Sequence, residues 1–372
     1  MTFVIITHVP HLALKGKYFA YAPYVLEMNM WTKYADKVII VAPKTDLGQT
    51  AVDTHYVHEN INFVSIESID LLSLKSIFAT ILKVPKICWQ IFKAMKSADH
   101  IHLRCPGNIG LLGCLLQVFF FNTPKTAKYA GNWDPKSKQP WTYKLQQHIL
   151  SNTFLTRNMQ VLVYGDWGGR SKNIQSFFTA TYAEADKLPI SKKDLKGRID
   201  FVFVGTLVKG KNPLYAVQLV EFLSKKGYDA HLSLFGEGTE RTILEHYIIA
   251  HQLEAVINLQ GNQSKDTVQK AYRNSHFVIL PSASEGWPKA IAEGMFWGCV
   301  PLAKAVSCVP FMLDYGDRGV LLQMNLERDC TQVIAILHDQ MVFDIKRNKA
   351  SKWSRGYTVD VFQTEIKNLL TS

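Results

Sequence analysis

Short runs of β-branched and apolar residues alternate with longer amphipathic stretches along the whole chain, and this rhythm limits the possible folds more than any other property. In the first half, strand-like runs stand at 2–7, Lys37-Val-Ile-Ile-Val-Ala42, His100-Ile-His-Leu103, Lys125–Ala130 and Gln160–Tyr164. In the second half they stand at 201–205, 231–235, 256–260, 276–280, 299–303 and 319–322. Strand, helix and strand in repeated succession argue α/β architecture with parallel sheets. At 372 residues the chain exceeds one comfortable core and approaches two domains. The polar, charged stretch Lys192–Arg198 reads as the linker, so a first domain is expected over 1–190 and a second over 198–351. With 47% hydrophobic and 20% charged residues the chain is ordinary globular material.

The most informative segment is 281–301, Pro-Ser-Ala-Ser-Glu285-Gly286-Trp287-Pro288-Lys289-Ala-Ile-Ala-Glu293 through Gly298 to Pro301. An apolar strand precedes it. Pro288 suits a first helical position, where its missing N–H costs nothing, and Gly298 suits the helix stop. Glu285 then lies in the loop before the helix and Glu293 about five residues in, roughly 7.5 Å along the axis. Between them the amides of Gly286, Trp287 and Lys289 fall in the first turn, where free N–H groups hold anions. A carboxylate, a row of amides and a second carboxylate suit a sugar, a diphosphate and a ribose, which together make a nucleotide-sugar. Two glutamates eight apart are common by chance, and acids also favour helix starts. Here the small residues before Glu285, Gly286 beside it and the strand-like Cys299–Ala303 after Gly298 decide for a site.

Three further stretches have the same strand-into-turn form. Asp200-Phe-Val-Phe-Val-Gly205-Thr206-Leu-Val-Lys209-Gly210-Lys211 leads into a helix with Leu214, Val217, Leu219, Val220 and Leu223 at the apolar period. A basic turn at the carboxyl end of a parallel strand is where α/β sheets bind ligands. His231–Arg241 carries Gly236 and Gly238 in a Gly-x-Gly turn, a weak signal by itself. Asn258-Leu-Gln-Gly261-Asn262 is the third.

The block at 281–301 closely resembles the donor-site signature of the group 1 (family 4) glycosyltransferases, two-domain enzymes of the GT-B fold. The resemblance is specific over about 200–325 and looser over the first half. It implies two Rossmann-like, doubly wound parallel-sheet domains facing across a cleft. The N-terminal one would bind the acceptor and be completed by a last helix, 352–372, crossing back to it; the C-terminal one would bind the nucleotide-sugar. The resemblance assigns Glu285 to the sugar hydroxyls and Glu293 to the ribose. Lys211, Lys209 and the amides of Gly286, Trp287 and Lys289 would stabilise the leaving diphosphate of a UDP- or GDP-sugar. Gly236 and Gly238 would line the nucleotide pocket, and Gly261 and Asn262 would meet the base. Family members usually carry an Arg directly after the first turn's Gly and a Lys five positions on. Lys211 fills the second position, but Thr206 fills the first and brings a hydrogen bond without charge. The resemblance also implies retention of anomeric configuration.

In the first half, His8 follows the first strand in Thr7-His8-Val-Pro-His11, with Lys15-Gly16-Lys17 beyond it; on the fold that the resemblance implies it would face the cleft and is a catalytic candidate, with a structural role as the plainer alternative. Pro23, Tyr24 and Glu27 are open between facing an acceptor and capping the first helix. Arg104, Asn132 and Asp134 follow the third and fourth strands and are acceptor-side candidates, each with turn formation as the plainer alternative. The His that retaining relatives often show after the fourth strand is replaced by Gly131-Asn132-Trp133-Asp134. No Asp-x-Asp pair is present, so no metal and no cofactor are expected. The six cysteines are scattered and read as free thiols in a reducing compartment. The apolar start, Met1–Thr7, is too short for a signal segment and reads as a strand, so a cytoplasmic location is expected.

Residues 71–98 carry lysines without acids, interleaved with Ile, Leu, Phe and Trp and broken at Pro85. That is the composition of a surface that lies on anionic lipid, or of two ordinary helices with solvated lysines. With a net charge of +11, an anionic partner is expected. Nucleic acid is not, for want of any recognition motif. The combined reading is a peripheral enzyme at the inner face of the plasma membrane, adding sugar to a saccharide acceptor, lipid-linked, in envelope, capsular or O-antigen assembly. Its rivals are a GT-B enzyme with a soluble acceptor and, because of Thr206 and the missing His, a non-catalytic nucleotide-sugar binder.

Overall fold

The computed structural model describes residues 1–50, 52–69, 74–169 and 171–371, with the side chains of 74–81 outside that description. The chain divides into two compact units, Met1–Phe177 with Gln363–Ser372, and Phe178–Phe362. The first holds β1 (Thr2–Ile6), β2 (Leu12–Leu14), β3 (Lys17–Tyr21), α1 (Ala22–Thr32), β4 (Lys37–Pro43), β5 (Asp53–His55) and β6 (Ile61–Ile66). It continues with α2 (Leu74–Lys96), β7 (His100–Cys105), α3 (Asn108–Leu116), β8 (Lys125–Tyr129), α4 (Trp141–Ser151), β9 (Met159–Tyr164) and β10 (Ile174–Phe177). Seven of these strands form a sheet in the order β10-β9-β8-β7-β1-β4-β6, with every pairing parallel. Val4, Ile6, Val41, Leu103, Ala127 and Val161 are fully buried in it, because crossover helices cover a parallel sheet on both faces.

The second unit holds β11 (Ile199–Val204), α5 (Pro213–Lys225), β12 (Ala230–Phe235), α6 (Arg241–Ala250), β13 (Ile257–Gly261), α7 (Lys265–Asn274) and β14 (Phe277–Leu280). After these come α8 (Lys289–Phe296), β15 (Val300–Lys304), α9 (Val309–Met312), β16 (Val320–Leu322), α10 (Leu326–Leu337), α11 (Gln340–Ser354) and α12 (Val359–Thr371), whose residues from Gln363 on group with the first unit. Its sheet runs β13-β12-β11-β14-β15-β16, all parallel. Chain order reverses between β11 and β14, as it does between β1 and β7 in the first unit. At such switch points the loops leaving the strands splay apart and open a crevice.

Four readings of the sequence change. Beyond His8, Lys15-Gly16 is the turn of an antiparallel hairpin, β2 with β3, to which β5 adds, three strands that the sequence reading did not include. Both turn residues have positive φ, 49° and 75°, the geometry that matches strand twist. α2 runs unbroken through Pro85. The part of the 71–98 patch at 71–73, with the side chains of 74–81, lies outside the described residues. The strands β6 and β10 are interrupted by polar residues, Asn62 and Ser65 in one and Gln175 and Ser176 in the other, and escaped an apolar-run criterion. Finally, Lys192–Arg198 packs on the second unit: the buried Lys193 ammonium donates to the Ser275 carbonyl, and Gln340 Nε2 donates to the Lys193 carbonyl.

Candidate active site

At the second unit's switch point two loops are stitched together before any ligand arrives. The loop after β11 makes a tight turn over Lys209–Lys211 and ends on Asn212 in the left-handed region (φ 49°, ψ 48°). From there Asn212 Nδ2 donates to the Pro281 carbonyl at 2.9 Å, and the Ala283 amide, from the loop after β14, donates to the Gly210 carbonyl at 2.8 Å. This brings the Lys211 ammonium to 2.5 Å from Glu285 Oε1. The two residues that the resemblance sends to separate parts of a donor are therefore an ion pair. Thr206, Lys209 and Gly210 line the same loop and are exposed.

Next to the pair, α8 begins with Pro288 as its cap and no side chain on its amides; Lys289, not Pro288, is the first helical residue. The Gly286 carbonyl accepts from the Cys308 thiol (3.0 Å) and the Ser307 hydroxyl (3.3 Å), which fixes the approach to the helix. Burial pushes that thiol up to about 12, so it stays protonated. Of Trp287 only the backbone amide is expected to meet a ligand. Its indole is buried, stacked on Trp353 at 6.0 Å and edge-on to Tyr357 at 5.4 Å, so only its backbone serves the loop. One turn on, Glu293 accepts from the Thr181 hydroxyl at 2.7 Å and the Tyr272 hydroxyl at 3.2 Å. Burial raises its pKa, with the Thr181 hydrogen bond and the Lys289 charge opposing. A carboxylate offers about four acceptor positions, so both glutamates keep capacity for further hydroxyls.

Gly236 and Gly238 owe their identity to backbone packing. A Cβ on Gly236 (φ 140°) would lie 2.0 Å from the Gly205 oxygen, and one on Gly238 would lie 2.2 Å from the Leu207 oxygen. The loops after β11 and β12 thus touch main chain to main chain, with the Leu207 amide donating to the Glu237 carbonyl. The next loop joins them through the Gly236 amide, which donates to the Gly261 carbonyl. Gly261 has φ 66°, its Cβ position 2.9 Å from Glu237 Oε1, and Asn262 beyond it is exposed.

In the first unit's crevice, exposed His8 lies against Gly107, where a Cβ would stand 2.7 Å from the His8 ring. Desolvation and then the Arg104 charge lower its pKa, which keeps it neutral at pH 7. Arg104 is not open to a ligand along its length: its guanidinium donates to Glu27 Oε1 at 2.6 Å and lies 5.5 Å from the centre of the Tyr24 ring. Burial opposes ionisation of Glu27, but the Arg104 and Lys128 charges outweigh it and hold the carboxyl down to about 2. Asn132 and Asp134 are turn formers. Asn132 Oδ1 accepts from the Asp134 amide and Asp134 Oδ1 from the Lys136 amide, both at 2.9 Å. Among the described residues no group of three or more His, Cys, Asp or Glu is arranged to hold a metal.

Thr181, Tyr272, Asn212, Ser307 and Cys308 went unnoticed in the sequence. Each acts from another turn or helix on a residue far along the chain, and no local pattern marks such partners.

Residues 186–355 match the family model described as glycosyl transferases group 1. An uncharacterized glycosyltransferase of Haemophilus influenzae is 26% identical over 171 residues, 45% of this chain and 47% of the relative. An Escherichia coli protein, named UDP-Gal:alpha-D-GlcNAc-diphosphoundecaprenol alpha-1,3-galactosyltransferase, is 24% identical over 192 residues, 48% of this chain and 49% of that one. The chain thus spans about half the length of these relatives. Among solved structures, the apo form of the lipopolysaccharide outer core galactosyltransferase WaaB superposes with a TM-score of 0.70 at 15% identity, covering 100% of this chain and 99% of that one.

Proposed function

We propose, from the premise that residues 186–355 belong to the group 1 glycosyl transferases and that the chain has the GT-B fold, that this protein transfers a sugar from a nucleotide-sugar to an acceptor hydroxyl. One observation carries the reading. The Lys211–Glu285 pair, the uncapped start of α8 and Glu293 stand in that order around the switch point of the second unit. The diphosphate lies against the α8 amides and shares Lys211 with Glu285, so charge that develops on the leaving phosphate meets an ammonium and oriented N–H groups already in place. Lys209 and Lys289 add positive charge around it, in place of the cation that Thr206 lacks. Glu285 orients the sugar through its hydroxyls. Glu293 accepts from the ribose while Thr181 and Tyr272 hold its carboxylate. Gly236 and Gly238 let the nucleotide approach the backbone, and Gly261 and Asn262 meet the base.

No side chain of this donor set calls for a metal, and the transfer proceeds with retention, the leaving phosphate taking the acceptor proton. The first unit binds the acceptor, with His8 exposed against Gly107 at its switch point. A UDP-sugar donor and a lipid-linked saccharide acceptor in envelope polysaccharide assembly are favoured by the names of the E. coli relative and of the structural neighbour. The enzyme works in the cytoplasm at the inner face of the membrane.

The test is release of UDP or GDP from a panel of nucleotide-sugars, wild type beside Glu285→Gln, with and without membrane extract. Release from one donor, reduced by about 10²–10³ in the variant, is expected for loss of a group acting on the transition state. Donor binding without release under any condition would instead favour a binding protein, with Thr206 as the reason.

A further inference from the structure

The first unit carries an apolar and basic face that the donor site does not use. On α2, Ile87, Ile91, Ala94 and Met95 are buried, and Leu82, Lys86, Trp89, Lys93 and Lys96 form the opposite stripe at three- and four-residue steps. Leu82 is 74% exposed and Trp89 67%, far beyond what a helix packed on a sheet needs to leave open. No acid interrupts the stripe. Glu67, the acid facing this helix, pairs with Lys83 at 2.8 Å, and Asp99 beyond its end accepts from the Thr2 amide.

Two turns extend the same face. Ring contacts run from Trp89 to Phe92 and on to Phe119 and Phe120. Phe119, 66% exposed, and the exposed Phe121 stand on a turn pinned from beneath. The buried Lys125 ammonium donates to the Phe120 carbonyl at 2.6 Å, and Asn158 Nδ2 donates to the Phe121 carbonyl at 3.1 Å. Asn158 in turn closes the loop that bears Phe154, 72% exposed, with the Arg157 guanidinium 4.9 Å from its ring centre. A buried lysine spent on one loop carbonyl shows that the turn is built to hold its aromatic rings outward.

We propose that this face docks on a bilayer containing anionic phospholipid and so holds the protein at the membrane; that a lipid-linked acceptor is met there rests on the transferase reading above. Aromatic rings backed by lysines suit the boundary of headgroups and acyl chains, where each ring buries its apolar body and each lysine meets lipid phosphate. The charge decides among occupants. A second copy of the face would set lysine against lysine, and a neutral apolar partner would leave the lysines without counter-charge. α2 follows β6 and crosses to β7, and the turns bearing Phe119, Phe121 and Phe154 lead into β8 and β9, so the exposed rings and Lys93 and Lys96 gather at the amino end of the sheet, opposite the end at which the β1 and β7 loops form the crevice.

The experiment is flotation of the full chain with vesicles of phosphatidylcholine alone or mixed with phosphatidylglycerol, at rising salt, with UDP release from a soluble donor measured separately without lipid. Wild type is expected on the mixed vesicles and to leave them as salt rises. Lys86→Gln/Lys93→Gln/Lys96→Gln loses about fivefold per lysine, about a hundredfold in all. Trp89→Ser/Phe119→Ser/Phe121→Ser loses at least about tenfold on the same vesicles, with an unchanged circular dichroism spectrum and unchanged UDP release. Wild type that ignores phosphatidylglycerol, or variants that bind as well as wild type, would overturn the proposal. So would a wild-type dimer by light scattering that the aromatic variant dissolves, since a second copy would then cover the face. Vesicle binding without any UDP release would sink the transferase reading and leave the docking surface standing.

Discussion

Replacing Lys211 by Met asks whether charge organises the second unit's crevice. The ammonium lies 2.5 Å from Glu285 Oε1, with the glutamate side chain 8% exposed and the lysine 29%. At an effective dielectric constant of about 20, unit charges at that separation attract by about 6–7 kcal/mol. Desolvation of both groups cancels much of this, and breaking a buried pair by removing one partner costs about 3–5 kcal/mol. Water reaches the lysine end, which brings this pair down to about 2–3 kcal/mol. Lys211→Met leaves the carboxylate buried without its cation, whereas Glu285→Gln removes the charge that needed one. The single lysine variant should therefore unfold about 4–12 °C below wild type, and the double variant should recover part of that loss. Thermal unfolding followed by circular dichroism reads both, and the same melts with saturating UDP read the ligand. UDP at about 100 times its Kd stabilises wild type by about 2.7 kcal/mol. In Lys211→Met the shift at that UDP concentration should shrink, because the diphosphate has lost a cation. The reasoning is refuted if the lysine variant melts with wild type, or if the double variant simply adds the two single losses.

Three further outcomes are expected. Glu293 has its folded-state pKa raised by burial. Its neutral form therefore favours folding below the unfolded value, about 4.3, and that contribution is lost as pH rises through the raised folded value; Glu293→Gln should flatten this part of the stability profile, and in wild type the donor KM should climb on acidification at a higher pH than for an ordinary carboxylate. Gly236→Ala drives a methyl to 2.0 Å from the Gly205 oxygen, so it should cost about 1–3 kcal/mol in thermal unfolding and weaken UDP binding by calorimetry, whereas unchanged melting would show that the loops yield freely. In the first unit, against the opposing effect of burial, the Arg104 and Lys128 charges hold Glu27 down to about 2 from its ordinary 4.5. The pair thus contributes about 3 kcal/mol above pH 4.5, lost as pH falls from there towards 2; Glu27→Gln should remove that acid limb, and a limb that persists would place the coupling elsewhere.

What could be read from the sequence was whatever lies close together in it. The parallel sheets follow from unbroken apolar runs such as Phe201–Val204 and Phe277–Leu280, which only burial on both faces requires. The second unit's crevice was visible because its parts sit in turns that directly follow those runs. What escaped depended on partners brought in by the fold. Lys211 and Glu285 are each a sound candidate in the sequence, yet nothing there says that they neutralise each other. That the Trp287 indole lies under Trp353 likewise depends on the loop before α8 meeting α11, 66 residues further on. Arg104 and Glu27 lie 77 residues apart and meet because β7 lies beside β1, whose crossover helix carries Glu27.

The departure at Thr206 then has a physical reading. An arginine there would bring a second fixed cation beside Lys211, and a diphosphate would be bound with Glu285 left fully paired. With Thr206, Lys211 has Glu285 as its ionic partner, so on the proposed donor site a diphosphate would have to share or draw off that lysine, and ground-state affinity would fall because the pair competes with the ligand. On that proposal the stabilisation would grow as the leaving phosphate gained charge and drew Lys211 away from the carboxylate, which is the kind of interaction that raises turnover more than it tightens binding.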